Sequence, residues 1–130
     1  MKSVEIIGNF EAGNLFTTSN LKALSTVDWI PHKTFKGVAL KHLVLSSDTA
    51  NEISCHLVRI EPECEIGIHT HENNLEIHEV ISGTGSLMLD KIDYEYSPGN
   101  ISVIPKSVIH KVKAGKDGLY LLAKFIPALV

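Results

Sequence analysis

Two histidines and a glutamate carry the most specific chemical signal in the chain. His69-Thr70-His71 is followed by Glu72-Asn73-Asn74-Leu75-Glu76. Side chains alternate between the faces of a strand, so His69 and His71 point the same way, roughly 7 Å apart at Cα. Asn73-Asn74 is turn chemistry, and Glu76 opens the next apolar run. A hairpin-like return brings Glu76 back beside the two imidazoles. Two imidazoles and a carboxylate on one side are a donor set for a divalent transition metal. The rest of the chain has to supply a further ligand and a scaffold.

The scaffold reads as short strands. Strands are expected at 3–7, 21–26, 37–45, 53–60, 65–71, 75–81, 86–90, 94–96, 101–104, 108–112 and 119–126. Turns fall between them at 46–51, 72–74, 82–85, 91–93, 97–100, 105–107 and 114–118, where Gly, Pro, Asn and Ser collect. Such even spacing predicts an all-β, antiparallel sandwich or barrel. No stretch of ten residues or more shows a 3.6-residue period, so little helix is expected. Residues 8–20 are turn-rich. Residues 27–33 read as a loop that Pro31 keeps from helix, with Trp29 packed on the body and His32 at the surface. The run 53–60 is apolar on both faces, which calls for cover by a second sheet or another subunit.

The totals narrow the class. A length of 130 residues fits one domain, 1–130, with its own core. The net charge is −3 and no Lys/Arg cluster stands out, so a nucleic-acid partner is not expected. Apolar runs stop far short of the ~20 residues that span a bilayer, so no membrane partner is expected either. Met1 to Gly8 shows no secretory pattern. Cys55 and Cys64 lack Cys-x-x-Cys spacing and read as reduced thiols of a cytoplasmic protein. Seven histidines is high for this length.

Two motifs now align. The first runs His69-x-His71, four residues, Glu76, six residues, Gly83. The second runs Gly99, five residues, Pro105, and His110 five residues later. Together, in this order, they resemble the paired motifs of the cupin superfamily, with only 15 residues between Gly83 and Gly99, as in compact single-domain members. Three framing positions depart. The family's leading glycine falls at Glu63, the glycine after Pro105 at Ser107, and the closing asparagine at Ala114. The resemblance implies a jelly-roll barrel with a metal in its mouth. Its ligands would be His69, His71, Glu76 and His110, and the ion Fe, Mn, Co, Ni, Cu or Zn. It also implies pairing as a homodimer through outer strands.

Other residues stand near this set. His78 follows Glu76 by two, so it shares the inward face. It reads either as a group for proton transfer or as a satisfied core histidine. Lys41 and His42 are neighbours on one strand, so only one of them faces a substrate. The same holds for His56 and Arg59. An inward Lys41 or Arg59 would suit an anionic ligand. Three functions follow: an oxygenase, isomerase or lyase on a small molecule; a non-catalytic module that binds or senses a small ligand; or a scaffold stapled by its metal.

Overall fold

The computed structural model describes residues 3–130. A helix α1 (Ser3–Ala12) leads into a small hairpin, β1 (Asn14–Phe16) and β2 (Leu21–Ala23). Then come β3 (Ile30–Pro31), β4 (Val38–Val44), β5 (Ser54–Ile60), β6 (Glu65–His69), β7 (Leu75–Leu89), β8 (Ile92–Tyr96), β9 (Ile101–Ile104) and β10 (His110–Ile126). Strands β3 to β10 form one antiparallel sheet with β10 at its centre, paired to β5, β6 and β7. The sheet curls into an all-β jelly-roll barrel.

Alternation sorts the side chains into two cores. Val58, Ile60, Val80, Leu119, Leu121, Ala123 and Phe125 point into the barrel. The residues between them point outward, where Leu43 and Leu57 meet Leu24, with Phe10, Trp29, Ile81 and Leu122 packed around. The outer face of β5 is therefore covered by the chain's own N-terminal segment. No second subunit is needed to explain why that strand is apolar on both sides.

Helix α1 replaces the strand expected at 3–7. Val4, Ile6 and Ile7 favour a strand by propensity, but tertiary packing overrides propensity. Ile7 is buried and Phe10, three residues on, lies against the outer core, which is helical spacing. Similarly, only Leu21–Ala23 of the expected strand 21–26 is extended; Leu24–Thr26 turn as a 3-10 helix and drop Leu24 into the core.

Two expected turns, 82–85 and 114–118, lie inside the long strands β7 and β10. These strands pair from His110↔Leu89 to Ile126↔Leu75, with register shifts between Ala114 and Leu119 and between Tyr120 and Leu121. Gly83 (φ 82°) and Gly118 (φ 79°) sit at this irregularity. A Cβ on Gly83 would fall on the Gly118 carbonyl. The glycines mark a bulged bend at the barrel's corner, where two backbones approach closely, and the strands continue through it.

The two positions where the motif pattern expects glycine still use left-handed backbone. Glu63 has φ 64° and Ser107 has φ 65°. Such a conformation costs a residue with a Cβ about 1 kcal/mol or more. Glu63→Gly should therefore raise stability by roughly 0.5–1 kcal/mol, whereas Gly83→Ala should lower it by at least about 2 kcal/mol. Urea unfolding of both variants beside the parent checks the signs.

Candidate metal centre

Four side chains converge in one mouth of the barrel. His69 ends β6, His71 follows in the turn, Glu76 sits near the start of β7, and His110 opens β10. One ligand atom from each of the four lies within 4.8 Å of the others. Strand pairing does the placing: His110 is opposite His69, and Phe125 is opposite Glu76. A bulge between Ile66 and His69 fits three steps of β6 against two of β10, which lets both Ile66 and His69 face inward. Gly67 lies in that bulge, and a Cβ there would come within 2.9 Å of the Phe35 ring. Phe35 in turn packs on His69, with ring centroids 6.2 Å apart.

Hydrogen bonds fix the imidazole tautomers. His69 donates from Nδ1 to the Gly67 carbonyl at 2.7 Å, and His110 donates from Nδ1 to the Val108 carbonyl at 3.0 Å. A carbonyl only accepts, so each neutral ring presents the lone pair of Nε2 to the centre. Burial holds His69 down at about 4, helped by the neighbouring His110 and His71, and it lowers His71 as well. Burial alone would raise Glu76, but His78 and His110 overcome it and hold the carboxyl well below its usual range. His69 and His71 thus stand as neutral imidazoles and Glu76 as an ionised carboxylate, the forms that bind metal, while His110 has to give up a proton to join them.

One contact tests the fit. His110 Nε2 lies 3.1 Å from Glu76 Oε1, and His71 Nε2 lies 3.5 Å from the same oxygen. Glu76 Oε1 only accepts, so each of these contacts needs a proton on the imidazole or a cation between the two atoms. Burial lowers His110, yet the Glu76 hydrogen bond and charge and the Val108 carbonyl outweigh it and raise its pKa. A proton satisfies the pair in part; a divalent ion would satisfy all four donors.

The other carboxylate oxygen is taken from behind. His78 donates from Nε2 to Glu76 Oε2 at 2.6 Å. Its Nδ1 meets the Tyr96 hydroxyl at 3.1 Å, and Tyr96 donates to Ser102 Oγ at 2.8 Å. Burial, with the Glu76 charge, pushes the Tyr96 phenol up to about 12. His78 does share the inward face, but both its nitrogens are occupied. In this arrangement it orients Glu76, as partners of metal ligands commonly do.

The centre opens on a cavity of about 100 Å³. Its polar wall is His69, His71, Glu76 and His78, and its apolar wall includes Leu40, Val58, Leu121, Phe125 and Leu129. The structure does not bring Lys41 or Arg59 to it. Both lie on the outer face, where Lys41 Nζ donates to the Glu11 carbonyl at 3.0 Å and Arg59 stacks 4.4 Å over Trp29. Their neighbours His42 and His56 take the inward positions. The two rings meet Nδ1 to Nδ1 at 2.7 Å, so one donates and the other accepts. Burial, reinforced by His42, lowers His56 to about 4. His56 also bonds Ser54 Oγ at 2.8 Å, and that oxygen accepts the Leu129 amide at 2.8 Å. This pair anchors Leu129, which stands at the cavity rim.

His32 went unrecognised in the sequence, where it reads as a surface loop residue. It lines the cavity. Its Nδ1 accepts the amides of Thr34 and Phe35 at 3.0 and 3.2 Å, which leaves the ring proton on Nε2. No spacing marks it; only the pairing of β3 with β4 brings it over the barrel mouth.

The structure thus sets three histidines and one glutamate, a group that could hold a metal ion, in a jelly-roll barrel. A family model described as a cupin domain matches residues 56–122, just over half of the chain, and the protein belongs to the cupin family. No curated protein matches the sequence. Solved structures give the fold. One described as a predicted oxalate decarboxylase from Thermotoga maritima is 23% identical, with a TM-score of 0.71 over 79% of this chain and 95% of that one. KdgF from Halomonas sp. is 20% identical, with a TM-score of 0.69 over 79% and 88%. The polyketide cyclase RemF from Streptomyces resistomycificus is 21% identical, with a TM-score of 0.68 over 79% and 75%.

The donor geometry yields two expectations. His78→Ala should weaken metal affinity about 10–100-fold while leaving the fold intact, and His78→Gln, which keeps a donor near Glu76, should lose less. Affinity should also fall on acidification. A raised His110 pKa means its Nε2 proton leaves only at higher pH, so the proton competes with metal as pH falls. Competition titration of Zn(II) against a chromophoric chelator at about pH 8 and about pH 6 reads both effects.

Proposed function

We propose that the chain is a metal-dependent cupin enzyme acting on a small, oxygen-bearing molecule by oxygenase, isomerase or lyase chemistry. His69, His71, Glu76 and His110 would hold one divalent transition-metal ion. The observation that carries the reading is the meeting of a four-donor set with a lined cavity directly beside it. A divalent ion held there supplies a Lewis-acid centre that favours oxygen ligands and negative charge on them. The chain's own groups do the rest. Glu76 lowers the charge of the centre, and His78 with Tyr96 fixes the carboxylate so that one oxygen faces inward. The apolar wall limits water around a bound molecule, which strengthens electrostatic attraction there. His71, a quarter exposed, sits on the open side, while His110 is fully enclosed.

The structural neighbours support the class and leave the reaction open. They include an ectoine synthase, a polyketide cyclase and a predicted oxalate decarboxylase, three different chemistries on related barrels. A non-catalytic sensor would share the metal and the cavity but show no turnover.

Elemental mass spectrometry of untagged protein tests the metal reading. Near-stoichiometric Fe, Mn, Co, Ni, Cu or Zn is expected in the parent, and its loss in a His69→Ala/His110→Ala double variant. Equal traces in both would overturn the four-ligand assignment.

We also propose a homodimer in a reducing, cytoplasmic setting. Cys55 and Cys64 are free thiols, and burial pushes Cys55 up to about 11, which makes it unreactive. Among the described residues, no helix is long and apolar enough to cross a membrane. Ile92, Tyr94, Ile101 and Val103 are at least half exposed on β8 and β9, a surface suited to burial against a second copy. Light scattering should give twice the chain mass for the parent and a smaller species for Tyr94→Lys/Val103→Lys. A monomeric parent would sink the dimer.

A further inference from the structure

We propose that the cavity takes a compact monoanion with a short aliphatic body, and that it discriminates against dianions and polyols. This deepens the metal reading above and rests on it.

Charge is the first ground. The donor set brings one carboxylate, Glu76, and three imidazoles, which bind a metal ion only in their neutral form. With a divalent ion, the centre keeps a single net positive charge. One negative charge on the ligand balances it. A second would lie in an apolar cavity with nothing to pair with, and an unpaired buried charge is strongly disfavoured. Among the described residues, no lysine or arginine lines the cavity. Lys41 and Arg59, the cations of β4 and β5, are committed to Glu11 and Trp29 on the opposite face. Lys33 borders a separate hollow beyond His32 and Leu40.

The walls are the second ground. Away from the metal-binding side, the surface is Leu40, Val58, Leu121, Phe125 and Leu129. These offer no hydrogen bond, so each hydroxyl of a polyol placed against them would lose its water without a replacement. His78 cannot help, because its nitrogens are engaged by Glu76 and Tyr96. His32 Nε2–H is a neutral donor at the rim, enough for one further oxygen.

Size is the third. The cavity is small, about 100 Å³. A carboxylate or enolate head with a branched chain of a few carbons suits it better than a sugar does. Leu129 lines the cavity, partly exposed, and is tied through its amide to Ser54.

The probe pair is 2-oxoisovalerate and 2-oxoglutarate, which share the same 2-oxo acid head and differ in charge and body. D-glucose serves as the polyol. The protein is loaded with Co(II), its metal content is measured, and each probe is titrated calorimetrically. Binding of 2-oxoisovalerate should be about tenfold tighter or more than that of 2-oxoglutarate, with no heat from D-glucose. Leu129→Lys places a cation at the rim, where its head reaches water, and should close or invert that ratio. Equal or tighter binding of 2-oxoglutarate by the parent, or binding of D-glucose, would overturn the ligand class while leaving the metal reading intact. Failure to take up Co(II) would overturn the metal reading and this inference with it.

Discussion

A carboxylate buried at the mouth of a β-barrel has to be neutralised, and Glu76 organises its surroundings for that reason. It is 5% exposed, and an uncompensated charge there would cost several kcal/mol. One oxygen is met by His71 and His110, the other by His78. Each partner is then fixed in turn: His110 by the Val108 carbonyl, His78 by Tyr96, and Tyr96 by Ser102 on β9. The network draws on the turn after β6 and on β7, β8, β9 and β10, so most of the barrel's later strands converge on one charge. A cation at the centre would complete this scheme, because it would satisfy all four donors at once.

The donor set was legible because its signal is local. His69-x-His71 needs only the alternation of a strand, and Glu76 only a turn after it. Even so, alternation is not the whole account. A bulge at Gly67 re-aims this end of β6, and nothing in the spacing announces it. The barrel class was legible from evenly spaced turn residues. The bend at Gly83 and Gly118 was not, since a glycine that ends a strand and one that kinks it look alike in sequence. The two readings part only when the partner strand is seen to continue alongside.

Residues whose roles depend on distant cover were the hardest to read. Lys41 against His42 and His56 against Arg59 are decided by register, and a slip of one residue exchanges them. The structure settles the choice through the N-terminal segment. Helix α1 offers the Glu11 carbonyl to Lys41, and its Glu11 carboxylate accepts from Trp29, which stacks on Arg59. The helix itself was missed because β-branched residues in a short run resemble a strand. With α1 unread, the apolar outer face of β5 called for either a second sheet or another subunit as cover.

The departures from the motif pattern show how a framing position can acquire work. Ser107 stands where glycine is expected and keeps left-handed backbone. Its amide donates to the His71 carbonyl at 2.9 Å, and its hydroxyl donates to Glu72 at 2.7 Å. Glu72 also accepts from Thr70 at 2.9 Å, and these bonds, Ser107 first, hold its carboxyl below the usual range. A glycine would relieve the backbone but lose the hydroxyl. The serine thus ties the turn before β10 to the turn that carries His71, the most open of the clustered histidines. Strain at Ser107 is offset by a cross-link between the two motifs, and that cross-link holds the rim of the centre in place.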